Sequence, residues 1–392
     1  MRTVSVPHTP GAPKATATGT ATGTGTGTGT GTENAPGPVD AANAPTAPGV
    51  VERARPPVPR TGRLARAGGL ALATALLGCL VVLSTWLGAR ETSPAEVLRA
   101  LWSDDGSYTT SLVRDLRLPR TLTGLLVGAA LGAAGALMQA LTRNPLADPG
   151  LLGVNAGASA AVVLAVGVFG VGSFGGYVWC AFGGALLAAV AVYALGASGR
   201  GRGSPVRLVL AGAAVSACLS GLIAGVTVLD AATFDYLRFW TVGSLAGRRP
   251  ELVADLLPFV LVGLVLALAL TRPLNGLVLG EDSARALGVN LARTRLLGVV
   301  AITLLCGAAT AAAGPIGFVG LVVPLAARQL TGPDLRWSLP YAMVLAACLL
   351  LAADTAGRLV LPDGELEVGA MTAVIGAPVF VAMVRRRPEA RS

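Results

Sequence analysis

Residues able to do covalent or proton-transfer chemistry are few in this sequence and poorly placed for it. The one histidine, His8, and the one lysine, Lys14, both fall in a low-complexity head. With no other lysine, a GxxxxGK[ST] phosphate loop cannot form, so the chain does not hydrolyse ATP through one. No HExxH is present and the apolar segments hold no histidine, which argues against an intramembrane metalloprotease. Cys79, Cys180, Cys218, Cys306 and Cys348 all stand in apolar stretches and read as small hydrophobes. No catalytic residue, metal ligand or cofactor is expected.

The groups left are charges and chain-breakers in short runs. Arg117-Leu118-Pro119-Arg120 sets two guanidiniums three residues apart at the expected start of a helix, so both can face one surface. Positive charge at a helix N-terminus opposes the macrodipole, so headgroup anchoring accounts for the pair only in part. That helix ends in Arg143-Asn144-Pro145-Leu146-Ala147-Asp148-Pro149-Gly150. The prolines stop it and Asn144 can satisfy freed carbonyls; the alternative is a gating role. Leu277 to Val289 reads LVLGEDSARALGV. There Gly280 breaks the chain, Asp282 or Ser283 can cap a short helix, and Gly288 ends it. Such an amphipathic helix could lie in the lipid interface or dock a protein. Glu281 and Arg285, four apart, share one of its faces.

These runs separate long apolar blocks. The 392 residues are 53% apolar and 13% charged, against about 25% charged in soluble domains, so the chain reads as a membrane protein. Its net charge of +9 is spread between the blocks rather than gathered in one patch, which argues for membrane lipid and against nucleic acid as a partner. Residues 1–62 are Thr-Gly repeats and a Pro-rich stretch, expected to be a disordered cytoplasmic extension. Residues 63–387 form the expected membrane domain and 388–392 a short cytoplasmic tail.

A crossing helix needs about 20 mainly apolar residues. Stretches free of Asp, Glu, Lys and Arg supply ten of them, so the expected fold is all-α and polytopic. Single crossings are Ala67–Ala89, Thr121–Thr142, Leu208–Leu229, Leu256–Thr271, Trp337–Ala353 and Val368–Val384. Pro149–Gly199 holds two, with a Gly-rich turn near Gly170–Gly176, and Leu296–Ala327 holds two, broken at Gly314-Pro315. With both termini cytoplasmic, 19 of the arginines from Arg53 onward fall inside and nine outside, as the positive-inside rule favours. No segment carries a charge near its centre, which argues against a proton-driven carrier and for a passive conduit powered by a separate protein. A stand-alone secondary carrier and a non-transport scaffold are the alternatives.

Two further runs complete the set. One is Gly314-Pro315-Ile316-Gly317-Phe318-Val319-Gly320-Leu321-Val322-Val323-Pro324, then Ala327-Arg328. The other is Ile375-Gly376-Ala377-Pro378-Val379-Phe380, after Asp354, Arg358 and the turn Glu365-Leu366-Glu367-Val368-Gly369. In order and spacing, RLPR, RNPLADPGLLGV, LGEDSARALGV, GPIGFVGLVVP and IGAPVF resemble the FecCD-type permeases, the family of ABC importers for ferric siderophores, haem and cobalamin. The resemblance covers roughly residues 65–387.

It implies a permease subunit of the inner, cytoplasmic membrane that moves a ferric siderophore or related bulky chelate inward and has no ATPase site of its own. It also implies a dimer with a second permease subunit, like or unlike, with the path at their interface. Two ATP-binding subunits would dock on the cytoplasmic face, and an extracytoplasmic substrate-binding protein would cap the outer mouth. By motif, Gly280, Glu281, Asp282, Ser283, Ala284, Arg285, Ala286, Leu287 and Gly288 would form the helix coupled to the ATPase. Asn144 and Leu146 would sit at the cytoplasmic constriction, and Arg117, Arg120 and Arg358 would pair with acidic residues of the binding protein. Three positions depart from the family pattern: Leu325 and Leu335 stand where His is usual, and Glu367 where Pro is usual.

Overall fold

A computed structural model describes residues 62–88, 92–103, 105–171, 174–197, 205–229, 240–248, 250–360 and 365–385 of the 392. The Thr-Gly extension up to residue 61 and the tail 388–392 lie outside the described residues. No strand occurs among the described residues.

Helix α1 (Arg63–Trp86) precedes the short α2 (Pro94–Trp102), whose start is fixed by a capping box between Ser93 and Glu96. Next, α3 (Tyr108–Ser111) runs through a π-helical turn (Leu112–Arg117) into α4 (Leu118–Thr142), an unbroken 35 residues. A 3₁₀ turn (Pro149–Leu152) leads to α5 (Val154–Gly167), α6 (Phe174–Ala197) and α7 (Pro205–Leu229). The second half comprises α8 (Pro250–Ala269), α9 (Thr271–Val278), α10 (Glu281–Ala286) and α11 (Leu291–Ala313). It closes with α12 (Val319–Thr331), α13 (Leu335–Val360) and α14 (Val368–Arg385).

Eight of these segments are long and apolar enough to cross a membrane: α1, the α3–α4 run, α6, α7, α8, α11, α13 and α14. α5 and α12 are apolar but have 14 and 13 residues, below the roughly 17 a crossing needs. Each stands inside a block from which the sequence predicts two crossings. α12 is short because Gly314 (φ 74°) and Phe318 (φ 65°) take the chain between them out of helix.

Packing centres on α4. In lipid no hydrophobic force draws helices together, so close backbone approach must supply the attraction, and only small residues permit it. Gly128 and Gly132 lie against the backbone of Ala347 and Ala342 on α13, and Gly135 against Gly320 on α12. One continuous apolar cluster links α4, α5, α6, α8, α11, α12 and α13. By contrast, α1, α7 and α14 remain largely exposed in the single chain.

Among the expected boundaries that move, two bear on the candidate site. The helix expected to start at Thr121 starts at Tyr108, so Arg117 and Arg120 lie within a helical run rather than at its N-terminus. The one expected to end at Ala353 continues to Val360 and takes Asp354 and Arg358 with it. Charge does not end these helices because Arg117, Arg120, Asp354 and Arg358 each find a partner. Leu325 and Leu335 are both fully buried, so the two departures from histidine are core packing positions.

A methyl group at residue 135 would collide with the Gly320 carbonyl, whereas one at Gly183 of α6 meets nothing within 4 Å. Gly135→Ala should therefore destabilise by about 1–3 kcal/mol or more through overpacking, and Gly183→Ala should be neutral or slightly stabilising. Thermal unfolding in detergent compares the two. Equal midpoints would contradict the packing described.

Candidate functional site

Two polar constellations lie at opposite ends of α4, roughly 37 Å apart at 1.5 Å per residue.

The first gathers the three arginines. Arg117 Nη1 donates to the carbonyls of Thr85 and Trp86 and to Thr92 Oγ1 at 3.2, 2.7 and 2.8 Å. Arg358 Nη1 donates to the carbonyls of Ser84 and Leu87, and its Nη2 to Ser84 Oγ and Thr355 Oγ1. Both guanidiniums thus cover the C-terminal carbonyls of α1, where the helix dipole favours a cation. Each residue is only 5% exposed. The dipole cost expected from an N-terminal placement does not arise, because these charges serve the end of a different helix.

Arg120 grips Asp354 with Nε and Nη2 at 2.9–3.1 Å and reaches Glu365 with Nη1 at 2.7 Å. Arg358 Nη2 shares Asp354 Oδ2 with Arg120, at 3.2 Å. Asp354 is buried between them, and fork-like guanidinium geometry suits this shared carboxylate. Arg117, Arg120, Arg358 and Glu365, with Tyr108 and Leu116, line a recess of about 510 Å³. The structure brings the three arginines together, but round a recess and already engaged, rather than as a projecting patch. Nearby, Asp105 accepts from Thr110 and Ser107, which holds its carboxyl down at about 2.

The second constellation is at the other end. α4 stops at Arg143, whose backbone is left-handed (φ 53°, ψ 26°). An arginine there costs about 1–2 kcal/mol that glycine would avoid. Asn144 does not cap helix carbonyls as expected: its Oδ1 accepts from Leu146 N at 3.0 Å, a tight turn that fixes the loop. Leu146 is exposed. Asp148 accepts from Gly150 N at 2.7 Å, but burial pushes its carboxyl above the usual range.

Against this end stands α10. Gly280 (φ 104°) opens it, with no side-chain cap from Asp282 or Ser283, and Gly288 (φ 78°) closes it. Ala284, buried with Leu277 and Leu291, pins the helix to α9 and α11. Its charged face surrounds Glu281. Arg285 lies 3.4 Å from one oxygen of Glu281, while Arg295 at 2.5 Å and Arg143 at 3.6 Å reach the other. Leu279 and Leu287 are exposed on either flank. Asn275 of α9 bonds Asp334 and the Leu335 amide, tying this end to the start of α13.

Sequence reasoning gave no site role to four participants: Arg143, Asp354 and Glu365, which stand in its motif runs, and Arg295. Asp354 and Arg358 carry a signal, the four-residue spacing of a helical ion pair. For Arg143 and Arg295 only the folded chain reveals the shared carboxylate.

The family model described as the FecCD transport family matches residues 76–386. The chain belongs to that family. Among curated FecCD relatives, the ferric enterobactin transport system permease protein FepD of Escherichia coli (strain K12) is 51% identical over 80% of this chain and 93% of its own. The hemin transport system permease protein HmuU of Yersinia pestis is 37% identical over 81% of this chain and 95% of its own. A solved metal-chelate type ABC transporter in an inward-facing conformation superposes with a TM-score of 0.72 at 29% identity, over 82% of this chain and 99% of that one. The helical architecture is therefore that of a known transporter, and three of the motifs carrying the resemblance, RLPR, RNPLADPGLLGV and LGEDSARALGV, stand at the two ends of α4.

Removing Asp354 leaves two guanidiniums without their shared counter-ion in a buried setting. Asp354→Ala should cost about 3–5 kcal/mol. Unfolding in detergent checks this, and a loss below about 1 kcal/mol would show the pair to be dispensable.

Proposed function

We propose that this FecCD-family chain is the membrane-spanning permease subunit of an ATP-driven importer that carries a ferric siderophore, or a related bulky chelate such as haem or cobalamin, into the cytoplasm. It sits in the inner membrane with both termini cytoplasmic and crosses ten times. The eight long helices are joined in this by α5 and α12, each extended by the irregular turn beside it, as buried non-helical backbone allows. It has no ATPase site of its own. The siderophore assignment rests on the 51% identity to a ferric enterobactin permease.

The observation that carries the reading is the short helix α10. It is pinned by Ala284, flanked by exposed Leu279 and Leu287, and connected by the Glu281–Arg143 ion pair to the loop of Asn144 and Leu146. A helix so held can transmit a push from an ATP-binding subunit to that loop. Gly280–Gly288 is then the coupling element, and Asn144 and Leu146 form the cytoplasmic constriction.

At the other end, the recess of Arg117, Arg120 and Arg358 receives carboxylates of an extracytoplasmic binding protein at its rim. A second permease subunit covers α7, whose exposed face carries Ala213, Ala217, Ser220, Gly221 and Gly225. Small residues suit close protein contact or a wide neutral passage, and the exposed Leu210, Leu222 and Val228 beside them add apolar surface to cover.

Coupling is tested by Glu281→Ala with Arg285→Ala. Exposed ion pairs contribute little stability, so insertion and helix content should persist. Uptake per ATP hydrolysed, in proteoliposomes holding the full complex, should fall about tenfold or more. Unchanged coupling would remove the assignment of α10.

A further inference from the structure

Arg143 lies 138 positions before Glu281, yet both are drawn into one cluster. Three guanidiniums, Arg143, Arg285 and Arg295, converge on the Glu281 carboxylate, from the end of α4, from α10 itself and from the first turns of α11. The side chains of Arg143 and Glu281 are 43% and 29% exposed. An ion pair that wet contributes little to stability, so stabilising the fold is not what it does best.

The backbone points the same way. Arg143 is one of two described non-glycine residues with positive φ, and it sits where a helix C-terminus ordinarily takes glycine. Its strain is not repaid by burial, since the residue is exposed. What an arginine offers there that glycine lacks is a long cation, and that cation is aimed at Glu281. One residue further on, Asn144 orders the turn that sets Leu146.

Resting on the permease reading above, we infer that Arg143 is a positioning residue that relays movement of α10 to the Asn144–Leu146 loop through Glu281, with Arg295 holding the same carboxylate to α11. Arg143 touches no substrate in this role. When α10 is displaced, the shared carboxylate carries the left-handed corner at Arg143 with it. The two-residue arm to Leu146 then turns that displacement into a change at the constriction. A merely structural Arg143 would give the opposite behaviour: its loss would lower the melting temperature and leave coupling unchanged.

The test uses the full complex of permease, ATP-binding subunits and binding protein in proteoliposomes. The probe is whichever of ferric enterobactin, haemin and cobalamin supports wild-type uptake. Arg143→Gly should keep the ATP-binding subunits bound and leave the melting temperature equal or higher. Uptake per ATP hydrolysed should fall at least about fivefold, the lower end of typical coupling between sites. Glu281→Gln should lower uptake per ATP likewise, with some loss of melting temperature because the half-buried Arg295 loses its counter-ion. Because the two act on one link, the double variant should lose no more than the worse single. A fall of less than about fivefold in Arg143→Gly, or losses that multiply in the double variant, would overturn the relay. Failure of the wild-type chain to hold ATP-binding subunits would overturn the permease reading itself, and the relay with it.

Discussion

Helices in a bilayer gain nothing from burying apolar surface against one another, so this fold depends on how closely its neighbours can approach α4. Gly128, Gly132 and Gly135 open one face of α4 to the backbones of α13 and α12. Gln139, lower on the same helix, donates to the Leu321 carbonyl at 3.0 Å, adding a polar tie where α12 begins. With α4 so enclosed, its two ends become fixed points. Every residue singled out for function is attached to one of those ends, or packs on an element that is.

The polar chemistry divides accordingly. At one end, charge is buried and structural: Arg117 and Arg358 cover the C-terminus of α1, and Arg358 shares Asp354 with Arg120. At the other, three arginines gather round Glu281, Arg285 bonding Asp282 as well, and all but Arg295 are well exposed. Burial makes the first set costly to alter, and exposure leaves the second set free to shift. On the permease reading, a rigid collar at one end and a deformable connection at the other let a push move a gate and not the whole bundle.

Much of the architecture was legible in the sequence because apolar length is a strong signal. Eight helices appear where uncharged blocks predict them, and the break at Gly314-Pro315 is real. Helix ends were less legible. Charged residues were read as marking the membrane boundary, yet the run through Arg117 and Arg120 and the end of α13 at Asp354 and Arg358 stay helical because their charges pair internally. The cap of α10 was assigned to Asp282 or Ser283, whereas backbone at Gly280 does the work without a side chain. The site itself was legible in part. Local runs such as LGEDSARALGV announce themselves, but a carboxylate shared by residues 143, 281 and 295 has no local signature. Such contacts depend on the path of the chain through three dimensions.

The central claim is that this chain conducts but does not power transport. Its most direct measurement is substrate accumulation in proteoliposomes with the purified chain alone, and then with ATP-binding subunits and binding protein added. The account predicts no accumulation by the chain alone under a proton or sodium gradient, and accumulation that requires ATP once the partners are present. Gradient-driven uptake by the chain alone, unaffected by ATP, would contradict it.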